Sequence, residues 1–298
     1  MLLRVCTVAT NNCPYTSVQQ AVDAAASGDT ISIGPGVFVG SVYLGKLKEL
    51  KIVGQGSTRT VLKGGPIPPI PPNTRAGAIN CSGGGNILIR GVAITHSGGD
   101  SGAGIHNQDC TINVENSTLQ ENGVTGQGGG IFNSGTMTLK NCDVRNNVAD
   151  LGGGIFNSGI LTIKDSHILN NRGAVPHAGG PAGGGILNSG TLTLQNSEVT
   201  SNESLQGGAG IANLPGGTVL VRSSAIHHNH SHSDGGGIWN SGTVVLTGSL
   251  IDTNTADRQG GGVFNRDPGS ISKTGANTLF YQNAPDDCAD ISGPITCP

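Results

Sequence analysis

The chain has 298 residues, of which 51 are glycine, well above the usual share of roughly 7%, and only 12% are charged where soluble domains average about 25%. Glycine at that level without a three-residue period, together with 35% hydrophobic residues spread along the chain, excludes collagen and disorder. A formal net charge of -3 and the absence of any lysine- or arginine-dense stretch remove the electrostatic footprint that a nucleic-acid partner or an anionic membrane surface would require.

No apolar run reaches the roughly 18 residues of a membrane span, so no membrane span is expected, and Met1-Leu-Leu-Arg-Val-Cys6 is too short for a signal peptide; the sequence reads as a mature or trimmed soluble chain. Seven cysteines include two close pairs at the ends, Cys6/Cys13 and Cys288/Cys297. Disulfides there would suit an oxidising compartment, and buried thiols throughout are the alternative.

In chain order, Ser17-Val-Gln-Gln20 matches a capping box, and Val18, Ala21, Val22 and Ala25 make a helical apolar stripe that Gly28 stops. The expectation is a short helix plugging the open end of a stack. Thr30-Ile-Ser-Ile33, Leu50-Lys-Ile-Val53 and Val61-Leu62 read as irregular early coils, and the proline-rich segment 66–72 as an extended excursion between coils.

A weaker unit, from Ala78-Ile-Asn-Cys81 to Ile94, then leads into seven self-similar segments. These are Gly102-Ala-Gly-Ile-His-Asn107, Gly128-Gly-Gly-Ile-Phe-Asn133, Gly152-Gly-Gly-Ile-Phe-Asn157, Gly183-Gly-Gly-Ile-Leu-Asn188, Gly208-Ala-Gly-Ile-Ala-Asn213, Gly235-Gly-Gly-Ile-Trp-Asn240 and Gly260-Gly-Gly-Val-Phe-Asn265. After each come a turn, a period-2 strand such as Thr191-Leu-Thr-Leu-Gln195, and a second strand ending in Asn. Three short extended segments cannot close a sheet alone, so the units must stack, one coil per unit, into an all-β parallel β-helix of about ten coils.

Two asparagine rows support the stack: Asn107, Asn133, Asn157, Asn188, Asn213, Asn240 and Asn265, and then Asn122, Asn147, Asn171, Asn202, Asn229, Asn254 and Asn283. An amide both donates and accepts, so such a row satisfies itself and the turn backbone beside it, which makes these residues structural. Ser117, Cys142, Ser166, Ser197, Ser224 and Ser249 form a small-residue row between them, in which Cys142 reads as a serine substitute. The expected organisation is a single domain over 1–298, with a cap at 1–28, irregular coils at 29–77, regular coils at 78–283 and a second cap at 284–298.

The opening Tyr15-Thr-Ser-Val-Gln-Gln-Ala-Val-Asp-Ala-Ala, with Gly28-Asp-Thr-Ile-Ser-Ile and Pro35-Gly-Val-Phe38, resembles the N-terminal cap of the pectin-lyase-like right-handed β-helix superfamily. The Gly-Gly-Gly-Ile coils also look like those of bacterial adhesins and polymorphic outer-membrane proteins. The resemblance implies the right-handed fold and a secreted or cell-surface location. It leaves the activity open, because that superfamily hosts lyases, hydrolases, esterases and non-catalytic proteins. Neither the aspartate constellation of polygalacturonases nor a lyase calcium triad is present.

Three features break or decorate the repeat. Lys140, Lys164, Gln195 and Arg222 form one outward row; Asp143, His167 and Glu198 form the next, flanked by Arg145 and His227. β-Elimination on a uronic sugar needs a cation against the carboxylate and a base, so Lys164, His167, Glu198 and Arg222 are the catalytic candidates and Lys140, Asp143, Arg145 and His227 the substrate-binding ones. Mixed charges solvating a flat sheet are the bland alternative. Second, the longest coil carries an insertion with His177, and two coils later the matching turn carries His230, His232 and Asp234, a set able to hold a divalent metal ion or to form a solvated turn. Third, His106, Phe132, Phe156, Leu187, Ala212, Trp239 and Phe264 follow the inward Ile or Val; core packing is favoured over an outward aromatic strip because the chain has so few aromatics.

The sequence therefore points to a β-helix, expected as a monomer, that engages polysaccharide along its side. It would do so either as a polysaccharide lyase or glycoside hydrolase, or as a non-catalytic adhesive or spacer module.

Overall fold

The computed structural model describes residues 1–45, 49–64, 77–98, 101–174, 180–274 and 277–290. The proline-rich segment, His177, Cys297 and the end of the expected C-terminal cap lie outside the described residues. All paired strands run parallel, and they form three long sheets of 11, 10 and 10 strands and a short one of 5. The result is a solenoid of about ten coils.

One coil shows how the sequence makes the turn. Ile155–Asn157 lies in the first sheet, Ile160–Lys164 in the second, His167–Leu169 in the third, and Arg172–Gly173 in the short fourth. This last two-residue strand is too short to leave a periodic signal, and the sequence showed only three segments per unit. Two of the corners are single left-handed residues. Asp165 has φ 49° and Asn170 has φ 54°, and their counterparts Asn141, Asn196, Asn146 and His228 behave the same way. Asn and Asp tolerate that region because their short polar side chains bond locally.

Immediately after each such corner the chain turns a small polar side chain inward. After the first comes the serine row: Ser166 N–H donates to Ser197 Oγ at 3.3 Å, and Ser197 N–H to Ser224 Oγ at 3.1 Å. After the second comes an asparagine ladder, in which Asn147 Nδ2 donates to Asn171 Oδ1 and Asn171 Nδ2 to Asn202 Oδ1, both at 3.0 Å. The other ladder runs through the first sheet, with Asn133 Nδ2 to Asn157 Oδ1 at 2.8 Å and Asn157 Nδ2 to Asn188 Oδ1 at 2.7 Å. These amides are buried, so their pairing removes a desolvation cost that no water could meet.

The glycine triplets have two separate causes. Gly152 has φ +64°, and a Cβ there would sit 2.3 Å from the Ile155 carbonyl oxygen. At Gly154 the obstacle is the next coil: a Cβ would come within 2.6 Å of the Gly185 carbonyl oxygen, because the backbones of stacked turns touch.

Between the ladders the core is a column of aliphatic rungs, such as Ile155, Ile186, Ile211 and Ile238 in the first sheet and Leu161, Leu192, Val219 and Val244 in the second. The helix Val18–Ala24 buries Val18, Ala21 and Val22 against the first coils and so covers their open end. Ser17 is its N-cap residue but its side chain makes no capping bond, so the capping-box pattern marks the start without supplying the hydrogen bond.

Cys6 and Cys13 are bonded, as their spacing suggested, and Cys288 is disulfide-bonded. Cys81 and Cys110 form a further bridge that the spacing did not single out, because 29 residues separate them while the coil brings them together. Cys142 is a free, buried thiol in the serine row, and its Sγ lies 3.3 Å from the Lys140 carbonyl oxygen and 3.4 Å from that of Val114. Burial, the largest influence, pushes its pKa up to about 11.

Candidate functional site

Strand register places the outward rows on either side of the serine corner. Lys140, Lys164, Gln195 and Arg222 lie in register in the second sheet, one residue per coil at roughly 4.8 Å spacing. Among the described residues, none of Lys140, Lys164 and Arg222 has a carboxylate within ion-pair distance. Asp143, His167 and Glu198 lie in register in the third sheet, just past the corner.

These side chains form a relay of two hydrogen-bonded pairs, His167 with Asp143 and His227 with Glu198, linked by a longer approach of His167 to Glu198. His167 Nδ1 is 3.0 Å from Asp143 Oδ1, and its Nε2 is 3.8 Å from Glu198 Oε2. The other oxygen of Glu198 holds His227 Nε2, and His227 Nδ1 lies 2.6 Å from Nδ1 of His228 and 3.4 Å from Thr200 Oγ1. Arg145 stands in the same lengthwise row as Leu169, Thr200 and His227, three coils from His227, and has no ion pair in this relay. The face is open: His167 is 53% exposed and Glu198 38%. Such pairs contribute little to stability, but alternating carboxylate and imidazole orient a base beside a row of free cations.

The fourth sheet carries the second cluster, and here the structure changes the expected set. Arg172, Glu203, His230 and Thr255 lie in register, and His230 and His232 both face outward across buried Ser231. Asp234 does not join them. Ser231 Oγ accepts the Ser233 N–H at 3.2 Å and donates to the Asp234 carbonyl oxygen at 3.1 Å, which turns the chain after His232 and ends the alternation that would have carried Asp234 to their side. Asp234 faces Arg258 instead, Oδ1 to Nε 3.7 Å.

The carboxylate that meets the histidines is Asp257, 25 residues beyond His232 on the next coil. His232 Nδ1 is 3.2 Å from Asp257 Oδ2, and His230 Nε2 is 3.7 Å from Asp257 Oδ1. His232 Nε2 is 2.9 Å from Glu203 Oε1, and Glu203 Oε2 is 3.6 Å from Arg172 Nε. The bond to Glu203 chiefly, with Asp257 adding to it, holds the His232 pKa above the usual imidazole value. The sequence signal for Asp257 was available, since Asn229 and Asn254 flank the same 25-residue step. Beside this cluster, His232, Asp234, Arg258, Arg266, Gln206 and Trp239 line a cleft of about 440 Å³.

The aromatic row is packed and not an exposed strip, as expected, with His106, Leu187, Ala212, Trp239 and Phe264 buried and Phe132 and Phe156 half-buried, but it packs on the outer side of its strand and not in the aliphatic column. Ile105 and Asn107 point inward, so the residue between them points outward. The row stacks on itself, His106 on Phe132 with centroids 4.6 Å apart and Phe132 on Phe156 at 5.3 Å. The stacked neighbours and the adjoining glycine turns leave Trp239 and Phe264 only 6% exposed. The scarcity of aromatics implied burial correctly but not the side of the sheet.

Residues 72–211 match the family model described as right handed beta helix region. The chain is a right-handed parallel β-helix. No curated protein sequence matches it. Among solved structures it is similar to pectin methylesterase PemA from Erwinia chrysanthemi, at 12% identity and a TM-score of 0.50 over 93% of this chain and 92% of that one. A pectin methylesterase variant in complex with a hexasaccharide gives 10% identity and a TM-score of 0.50 over the same shares, and a pectate lyase 14% identity and 0.47 over 93% and 78%. At these identities the likeness is one of fold.

Proposed function

We propose that this β-helix binds an anionic polysaccharide along the side where the second and third sheets meet. The observation that carries the reading is the pairing of two ridges in register: Lys140, Lys164 and Arg222 without carboxylate partners, and across one corner the relay Asp143, His167, Glu198 and His227. Stacked coils repeat cations along a line, and a polymer with a carboxylate on each sugar repeats anions along a line. The fold is shared with pectin methylesterases, one of them solved with a hexasaccharide, which supports a carbohydrate partner. Two described disulfides suit a secreted or surface location.

Bound this way, a uronate carboxylate would sit against Lys164 with Lys140 one coil away on one side and Arg222 two coils away on the other, past Gln195, while Arg145 would contact the chain from the next strand. Neutralising that carboxylate acidifies the adjacent C–H. His167, hydrogen-bonded to Asp143, would remove the proton α to the carboxylate, the bond from the β carbon to the glycosidic oxygen would break to leave a carbon–carbon double bond, and the departing oxygen would take a proton from water. A non-catalytic adhesive or spacer module is the second reading. It is favoured by the way the ladders continue unchanged through the coils that carry the relay.

The deciding experiment incubates the protein with uronic-acid polymers and with neutral ones, following both binding and the ultraviolet absorbance of the unsaturated product. Binding with absorbance growth that His167→Ala abolishes supports elimination. Binding without new ends or absorbance leaves the module, and no preference for acidic over neutral polymer overturns the proposal.

A further inference from the structure

We propose that His230, His232 and Asp257 hold a divalent transition-metal ion on the outside of the fourth sheet. One donor atom from each of the three lies within 4.8 Å of the other two. Tetrahedral coordination at about 2.0–2.1 Å needs donors about 3.3 Å apart, so rotation of partly exposed side chains closes the site without moving the backbone. Two imidazoles with one carboxylate favour an ion of the zinc or copper class over calcium or magnesium, which prefer oxygen alone.

What separates this cluster from a chance meeting of surface charges is the second partner of each ring. A ligating imidazole is neutral, with one nitrogen on the metal and an N–H on the other that must donate elsewhere. His230 turns Nε2 toward Asp257, and its Nδ1 lies 2.8 Å from Thr255 Oγ1. His232 turns Nδ1 toward Asp257, and its Nε2 lies 2.9 Å from Glu203 Oε1. Each ring thus offers one nitrogen to the space in front of the Asp257 carboxylate and has an outer acceptor for the other. Glu203 is steadied in turn by Arg172 at 3.6 Å. The two rings meet edge to face with centroids 4.5 Å apart, which leaves their nitrogens converging instead of stacked.

Register explains why the three come together. Ser231 and Ala256 pair across adjacent coils, so the residues after them, His232 and Asp257, are neighbours, and His230 is one outward position back. The ion would be reached directly from solvent, with Asp257 52% exposed, and would keep positions for water or a ligand. This inference is independent of the polysaccharide reading, because it uses other residues and its test contains no sugar.

The test uses the full chain stripped with chelator and titrated calorimetrically with Zn²⁺ alone, then with Co²⁺ read by its visible absorption. The expected result is one saturable site with the absorption of a nitrogen- and oxygen-ligated Co²⁺. His232→Ala and Asp257→Asn should each abolish it or weaken it at least tenfold, and Glu203→Gln should weaken it roughly tenfold or more through the outer hydrogen bond. Asp234→Asn and the double variant His227→Ala/His228→Ala should bind as the parent does. Each variant is checked for an unchanged urea midpoint, and His230→Gln provides a second ligand variant if Asp257→Asn fails to fold. No saturable Zn²⁺ binding, unchanged binding in Asp257→Asn, or loss in the His227/His228 variant instead would each overturn the proposal.

Discussion

Cys81 stands in register with Asn107 of the next coil, at the position where the first asparagine ladder would otherwise continue, and its sulfur is bonded to Cys110. Asn107 holds both backbone groups of Cys110, accepting its N–H and donating to its carbonyl oxygen, each at 3.0 Å. The ladder therefore ends in a covalent bond to the turn that its first asparagine organises.

Opening that bond should destabilise the protein substantially. A loop of 29 residues corresponds to about 3 to 4 kcal/mol of closure entropy in the unfolded chain. The double variant Cys81→Ser/Cys110→Ser should unfold at clearly lower urea, and an unchanged midpoint would show that the bridge adds nothing to the stack.

The ladders should matter more than the faces. Asn157→Leu removes the shortest of the Asn133 amide's acceptors, leaving it the Gly135 and Ile160 carbonyls at 3.2 Å, and takes from the Asn188 oxygen its ladder donor inside the solenoid, which should cost about 2 kcal/mol or more. Lys164→Ala removes only a side chain on the outer face and should stay within about 0.5 kcal/mol. Equal urea midpoints for the two would contradict this division.

Cys142 should be chemically silent while the protein is folded. With its pKa at about 11, only about one thiol in a thousand is ionised at pH 8, and it is buried as well. A thiol reagent at pH 8 should find it unreactive in the native protein and reactive in denaturant. Ionisation rises about tenfold per pH unit up to 11, so a reaction rate in the folded protein that does not rise with pH would show that access, not ionisation, is limiting.

Polymer binding should depend on salt and on the cation row. Lys140→Ala, Lys164→Ala and Arg222→Ala should each weaken binding to a polyuronate severalfold, and raising the salt concentration should weaken the parent in the same direction. Binding measured at two ionic strengths checks this, with a neutral polymer as the control that should show neither effect.

Much of the site was legible because the repeat prints its own register. Lys140, Lys164, Gln195 and Arg222 could be aligned by counting from the asparagines, and so could Asp143, His167 and Glu198. The bond from His227 to Glu198 was not, since it runs diagonally from the row of Thr200 and depends on where a long side chain swings. Nor was the Cys81–Cys110 bridge, because a disulfide that joins adjacent coils of a solenoid spans a whole coil of sequence.

By itself the sequence determined the coil, its approximate count and which amides and aliphatic side chains face inward, because a rule repeated in every unit has only one arrangement in which all its amides and aliphatic rungs are satisfied at once. Only the tertiary structure decided what happens where the rule lapses. Alternation predicts Asp234 beside His232, yet the Ser231 hydroxyl bends the chain after His232 and gives the place to Asp257 of the next coil. Alternation also leaves Trp239 outside, yet the glycine turn and the neighbouring rows cover it. Local pattern fixes direction along a strand, and at turns the competing hydrogen bonds of one hydroxyl, together with whatever the adjacent coil presents, determine the outcome.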